Sequence, residues 1–365
     1  MLAYQNGKDD KNFLETVSKL LNPWLQIKSI HEQNEEKKSQ NLDSGVKQNR
    51  PPRVGFYFDN TQTNHVILRH YFNIVKNCHH NDIEVVIIKG PHAAHQNSCT
   101  LEEQSSYVVQ LHSNLKQSVE TLKRLNLQML IYTEIYSSPA AYCLANNRIA
   151  PIQAVLPGNL ITTGIHTIDY FISSEYMETS NSQEQYSEKL IKLRGMPHGI
   201  TEIPKFKHTK TRHFFGLPED SRIFGLLHNL IKFHPDWDEI LETIAQNNED
   251  AIFILTGKGS QSSSFLKHRW GKSAPTFDTK CIFFDKMSKD IYNNLLACAD
   301  AVLDPIHMGC GTTSIDALSI GIPIITKPEE HPILVLCMDY TKSWASKIRQ
   351  LHIQQKIMFL TLLTR

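Results

Sequence analysis

From Arg53 onward one pattern recurs: a short run of β-branched and aromatic residues, then a stretch with apolar positions at helical spacing. RVGFYF, IEVVII, QMLIYT, PIQAVL and DYFISS form a first series, and RIFGLL, AIFILTG, CIFFD, AVLDP and IPIIT a second. Strands this apolar are buried on both faces, and strands that alternate with helices achieve that in a parallel sheet with helices packed on each side. The two series therefore predict two doubly wound α/β domains, 53–200 and 201–330, joined through the polar, turn-rich text HTKTRHFFGLPEDS. A length of 365 residues agrees with two domains of about 150 residues each. Ahead of them, NFLETVSKLLNPWLQI has helical periodicity and a polar segment closes on two prolines, so 1–52 reads as a helix and a linker. Behind them, 331–365 carries ILVLCM and IMFLTLL around a basic amphipathic stretch.

Composition narrows the partners. Lys and Arg number 38 against 37 Asp and Glu, which leaves no bulk electrostatic case for nucleic acid or an anionic membrane. The seven cysteines (78, 99, 143, 281, 298, 310 and 337) include no C-x-x-C pair. They indicate neither a zinc site nor a disulfide framework, and a reducing, cytoplasmic compartment fits them. The run IMFLTLL falls far short of the roughly 20 residues that a membrane span needs, so no membrane span is expected.

Open α/β sheets bind ligands beyond the carboxyl ends of their strands, and there the second series carries MGCGTTSIDALSIGIPIIT, residues 308–326. AVLDP ends a strand, Gly309 and Gly311 loosen the loop, and Thr312 opens a helix. The N–H groups and positive dipole end of such a helix attract phosphate, and the Thr312 and Thr313 hydroxyls add donors. Asp316, one turn further on the same face, is placed to accept both hydroxyls of a ribose. The combination points to a nucleotide, although an N-cap at Thr312 and a dipole partner at Asp316 would use the same residues. Lys232 follows the first strand of the second series, where a cation neutralises a diphosphate leaving group or merely rests in solvent. Lys289 follows Ser288, a candidate N-cap; in a first helical turn its charge opposes the dipole, and Asp290 beside it can compensate. Neither G-x-x-x-x-G-K-[ST] nor G-x-G-x-x-G occurs in a nucleotide-binding position, and TGKGS reads as an ordinary strand-to-helix turn.

Several collinear stretches carry a resemblance: APIQAVLPGNLITTG, DYFISSEY, QYSEKLIKL, FGLPEDSRIFGLLHNLIKFHPDWDEIL, ACADAVLDP and GTTSIDALSIGIPIIT. Over about 53–328 they resemble the catalytic region of the O-linked N-acetylglucosamine transferases, their SPINDLY relatives and the bacterial adhesin N-glucosyltransferases. The resemblance implies the α/β fold called GT-B, two Rossmann-like doubly wound domains facing a cleft, with the nucleotide sugar held mainly by the second. It implies a transferase that moves a sugar from a nucleoside diphosphate donor, UDP-N-acetylglucosamine or UDP-glucose, to a protein or peptide acceptor, with no metal or other cofactor. Lys232 matches the lysine on the donor diphosphate, and Asn229 an amide lining the same site. Lys289 matches a lysine beside the nucleoside, while Gly311, Thr312, Thr313 and Asp316 match the phosphate and ribose contacts. Gly158 and Gly164 fall in the loop that closes on the sugar.

The departures bear on catalysis. GNLITTG stands where the acetylglucosamine transferases have GYPGTSG, and two family histidines of the first domain align with Thr61 and Gln128. His65 is retained as a candidate catalytic residue, a helix-start or packing role being the alternative, and the resemblance implies a base from the first domain for the acceptor proton without fixing which residue it is. After TKPEE the text ceases to resemble the family. Two other functions fit parts of this pattern: a nucleotide-sugar-binding or interaction protein on a degenerate copy of the fold, and a dinucleotide enzyme, which the missing glycine fingerprint disfavours.

Overall fold

In the computed structural model, the structure describes residues 10–27, 51–61, 66–79, 83–93, 103–136, 138–159, 161–175, 177–194 and 206–326. They fall into two compact units, one within Lys8–Thr201 and one within Glu202–Arg365.

The first unit holds a seven-stranded sheet in the order β3-β2-β1-β4-β5-β6-β7, every pairing parallel. Its strands are β1 (Arg53–Phe58), β2 (Glu84–Lys89), β3 (Tyr107–Gln110), β4 (Met129–Tyr132), β5 (Ile152–Val155), β6 (Tyr170–Ser174) and β7 (Lys189–Leu193). Alternate residues of one strand serve opposite faces. Val86 and Ile88 of β2 join Leu122 and Leu144 on one side, and Val85 and Ile87 join Leu68 and Tyr71 of the helix Val66–His79 on the other. Each face thus buries an apolar layer, which is why the strand runs show no polar alternation.

The helix Asp10–Leu25 packs on this unit. Leu14 is buried, and Asn147 fastens the helix end, accepting from Ile27 N at 2.8 Å and donating to Leu25 O at 3.1 Å. Gly164 has φ of +62°, and a Cβ there would stand 2.5 Å from the Leu14 carbonyl carbon. The glycine is therefore required by the close approach of this helix.

The second unit holds five parallel strands, ordered β10-β9-β8-β11-β12. These are β8 (Arg222–Gly225), β9 (Ala251–Thr256), β10 (Cys281–Phe284), β11 (Ala301–Leu303) and β12 (Ile324–Ile325). Trp237, Leu241, Trp270 and Phe277 pack on Phe253 and Leu255, giving one face a largely aromatic core. In both sheets the chain winds outward from the first strand in one direction and then restarts on its other side. The second sheet's topological switch point lies between β8 and β11, where ligands bind in open α/β sheets.

No helix among the described residues is long and apolar enough to cross a membrane. The tail expected over 331–365 lies outside the described residues.

Candidate functional site

Two connections leave the switch point of the second sheet. After β8 the chain runs through Leu226–Asn229 into a 3-10 turn, Leu230–Lys232, capped by the Asn229 side chain, which accepts from Ile231 N at 3.2 Å. After β11 it enters the glycine loop. The buried carboxylate of Asp304 shapes that loop, accepting from the Cys310 N–H and, at 2.7 Å, from the Thr326 hydroxyl. Asp304 was legible in AVLDP, but nothing in the pattern assigned it this bracing role.

The two connections meet at Lys232. Its Nζ donates to the Gly309 carbonyl at 2.7 Å, and a Cβ on Gly311 would stand 3.7 Å from it. Gly311 has φ of +64° and ψ of −123°, a conformation that side chains oppose, and it is the N-cap of the helix Thr312–Ser319. The N-cap therefore falls one residue before Thr312, and as a glycine it offers the helix no side-chain cap. A cation thus rests at the positive end of a helix with a glycine N-cap, an arrangement that an anion would stabilise.

One turn into this helix, Asp316 is buried and forms an ion pair with Lys289. Ser288 caps the helix Lys289–Ala297 through Ile291 N, as its position implied. The carboxylate found against Lys289 is Asp316 of the neighbouring helix, where the sequence pointed to Asp290. Lys289 Nζ also lies 4.4 Å from the ring centroid of Tyr292. The Tyr292 hydroxyl donates to Leu227 O at 3.0 Å and lies 3.3 Å from Thr313 Oγ1. Lys289, Tyr292, Thr313 and Asp316 are consequently one connected group, while Thr312 is half-buried at the helix start.

His228, which the sequence pattern does not single out, stands in the connection after β8, four residues before Lys232. It is buried, stacks on Phe233 with ring centroids 5.0 Å apart, and has no hydrogen-bond partner for either nitrogen among the described groups. Burial, and after it the charge of Lys232, hold its pKa well below the ordinary histidine value, so the ring is neutral. With Asn229, Thr256, Gly257, Ser260 and Lys286 it lines a cavity of about 360 Å³. TGKGS, read as a strand-to-helix turn, contributes Gly257 and Ser260 to this wall, and Ser260 caps the helix Gln261–Ser273.

In the first unit His65 lies outside the described residues. Gln128 lies at the amino edge of its sheet, where Oε1 accepts from Arg53 N at 2.7 Å. That is the edge opposite to the one where ligands bind, so the glutamine serves as a backbone brace. Thr61 is buried after β1. In the GNLITTG loop, the buried Glu188 accepts from the Thr162 hydroxyl at 2.7 Å, from Thr163 N at 2.8 Å, and from the Thr163 hydroxyl. Gly158 has no room for a side chain, since a Cβ would stand 2.3 Å from Thr133 O. At the carboxyl edge of this sheet a cavity of about 250 Å³ is lined by residues including Tyr57, His92, His112 and Cys143.

No protein-family model matches the chain. It is 28% identical over 217 residues to the probable UDP-N-acetylglucosamine–peptide N-acetylglucosaminyltransferase SEC of Arabidopsis thaliana, covering 56% of this chain and 21% of that protein. Its fold matches a lysine-to-methionine mutant of the O-GlcNAc transferase of Thermobaculum terrenum with a TM-score of 0.77 at 15% identity, over 95% of this chain and 63% of that one. A sucrose-phosphate synthase of Thermosynechococcus elongatus matches with a TM-score of 0.52 at 10% identity, over 84% of this chain and 92% of that one. The fold is α/β of the GT-B kind, and the chain is similar to the catalytic region of the O-linked N-acetylglucosamine transferases. It spans about a fifth of the curated relative and under two thirds of the solved transferase.

Proposed function

We propose that this chain carries the donor-binding and catalytic region of a glycosyltransferase that moves a sugar from a nucleoside diphosphate to a protein or peptide acceptor, UDP-N-acetylglucosamine or UDP-glucose being the donor. The observation that carries this reading is the Lys232 ammonium held at the start of the helix Thr312–Ser319, whose N-cap is Gly311. A diphosphate there would accept from backbone N–H groups, the Thr312 and Thr313 hydroxyls and Lys232 together. As the sugar bond breaks, negative charge grows on the departing phosphate, and Lys232 would stabilise it in the place a metal ion takes in other transferases. Lys289 and Asp316 would then meet the nucleoside, Asp316 accepting from the ribose. Asn229 would line the same site. In this reading a base of the first unit takes the acceptor proton, and His65 is a candidate for it.

A second reading, a nucleotide-sugar-binding protein without transfer activity, is favoured by one feature. The GNLITTG loop of the first unit spends both its threonines on Glu188, leaving their hydroxyls engaged within the protein.

Calorimetric titration with UDP, GDP and NAD, followed by an assay of sugar transfer to a peptide mixture, tests both. UDP or GDP binding with transfer supports the transferase, and binding without transfer supports the second reading. Binding of NAD alone would overturn both.

A further inference from the structure

Beside the segments that carry Lys232 and Gly309, three side chains from two stretches of the second unit converge. His307 Nε2 lies 2.8 Å from Asp236 Oδ2, and His234 Nδ1 lies 3.2 Å from the same oxygen. The two imidazoles meet edge to face with centroids 4.7 Å apart. One ligating atom from each residue can be chosen so that all three fall within 4.8 Å of one another. Among the described residues no other group of His, Cys, Asp and Glu does this.

The two contacts to Asp236 Oδ2 are at hydrogen-bond distance, and the three ligating atoms also lie near enough to one another to share one metal ion. Tetrahedral ligand atoms about 2.1 Å from a zinc ion stand about 3.4 Å from one another, and the observed spacings of 2.8 Å, 3.2 Å and at most 4.8 Å bracket that distance. Two imidazoles with one carboxylate suit zinc and its neighbours in the transition series, whereas calcium and magnesium call for oxygen ligands throughout. The histidine side chains are 27% and 20% exposed and that of Asp236 is 61% exposed, so one side stays open to a water ligand. His234 Nδ1 also accepts from Asp236 N at 3.2 Å. Coordination through that nitrogen would exchange a long hydrogen bond for a metal bond.

We propose that His234, Asp236 and His307 form a divalent transition-metal site of the zinc type, with water as the fourth ligand. The site goes beyond the transferase reading and does not depend on it. Its ion would pin the loop after β11, which carries Gly309 and Gly311, to the turn that follows Lys232. It would thereby hold in register two segments that the Lys232–Gly309 hydrogen bond and the Asp236–His307 contact also join.

The test uses the full chain stripped with EDTA, without nucleotide. Zinc is titrated against a chromophoric chelator, and cobalt(II) is followed by visible absorption. One tight equivalent is expected, with an intense tetrahedral cobalt spectrum that lacks a thiolate charge-transfer band. His234→Ala and His307→Ala should each weaken zinc by about 100-fold or more, and Asp236→Asn by at least about tenfold. Asp236 is exposed, so that variant keeps its fold, which circular dichroism checks. Zinc affinity equal in all three variants and the parent would overturn the proposal, and a thiolate band that persists in them would overturn it and assign the metal to cysteines.

Discussion

Lys232 Nζ donates to the backbone carbonyl of Gly309, 77 residues further along the chain, at 2.7 Å. One end of the side chain comes from the turn after β8 and the other is fixed by the loop after β11, so the ammonium is held in place before any anion arrives. A carbonyl is a weak partner for a full charge. Exchanging it for phosphate oxygens would strengthen the contact, and most strongly when the phosphate carries its greatest charge.

Lys232→Ala should therefore depress turnover more than donor affinity. A drop of about 100- to 1,000-fold in kcat is expected, of the size seen when one preorganised donor to a developing anion is removed. UDP affinity should fall by no more than about tenfold. Steady-state kinetics beside UDP calorimetry separates the two, and equal losses would make Lys232 a binding residue only.

The Lys289–Asp316 pair is predicted to act as a unit. Asp316→Ala should weaken UDP binding by about 1 to 3 kcal/mol, through the lost ribose acceptor and the lysine left without its buried partner. Lys289→Met should also weaken UDP binding, because it takes the ion-pair partner from the buried Asp316 carboxylate. The double variant should fall short of the sum of the two, which a mutant cycle on UDP affinity measures. Unchanged affinity in Asp316→Ala would remove the nucleoside from this end of the helix.

Gly311→Ala tests the loop itself. At φ of +64° the alanine is strained, and its Cβ would approach the Lys232 ammonium. A destabilisation of about 1 to 3 kcal/mol is expected, read as a lower urea midpoint, together with weaker UDP binding. A midpoint equal to the parent's would mean that the loop relaxes around the methyl group.

The sequence showed the apolar strands of both sheets, including β10 and β12 at the edges of the second, and hid the two edge strands of the first. β3 ends the first sheet with Tyr107 exposed, and β7 ends the other side as KLIKL with both lysines at the surface or nearly so. Neither is a continuous apolar run, so neither stood out. In the site, the glycines, threonines and Asp316 were legible because they are consecutive on one loop and helix. The ion pair between Lys289 and Asp316, the contact of Lys232 with Gly309, and the meeting of Asp236 with His307 across 71 residues arise from strand order. No local spacing encodes that order. His228 was hidden for another reason: inside an apolar run, a single histidine has no pattern that tells a buried ring from an exposed one.

His228 gives the last prediction, a dependence of stability on pH. Burial first and the charge of Lys232 second hold its folded pKa well below the ordinary value, and neither ring nitrogen has a partner among the described groups to favour the charged form. In the unfolded chain the ring takes up a proton near pH 6.5, while in the folded chain it stays neutral. The unfolded state thus binds more protons below about pH 6.5, and folding stability falls there by up to about 1.4 kcal/mol per pH unit until the folded pKa is reached. Above that range the residue adds no pH dependence. His228→Phe keeps a ring against Phe233 and Trp237 and removes the titration. Urea unfolding at pH 7.5, 6.5 and 5.5 should show the parent losing stability between the last two values faster than the variant. Carboxylates that titrate in the same range contribute equally to both and cancel in the difference. Equal slopes would mean that the folded chain accommodates the imidazolium, and that the cavity beside His228 already supplies it with water.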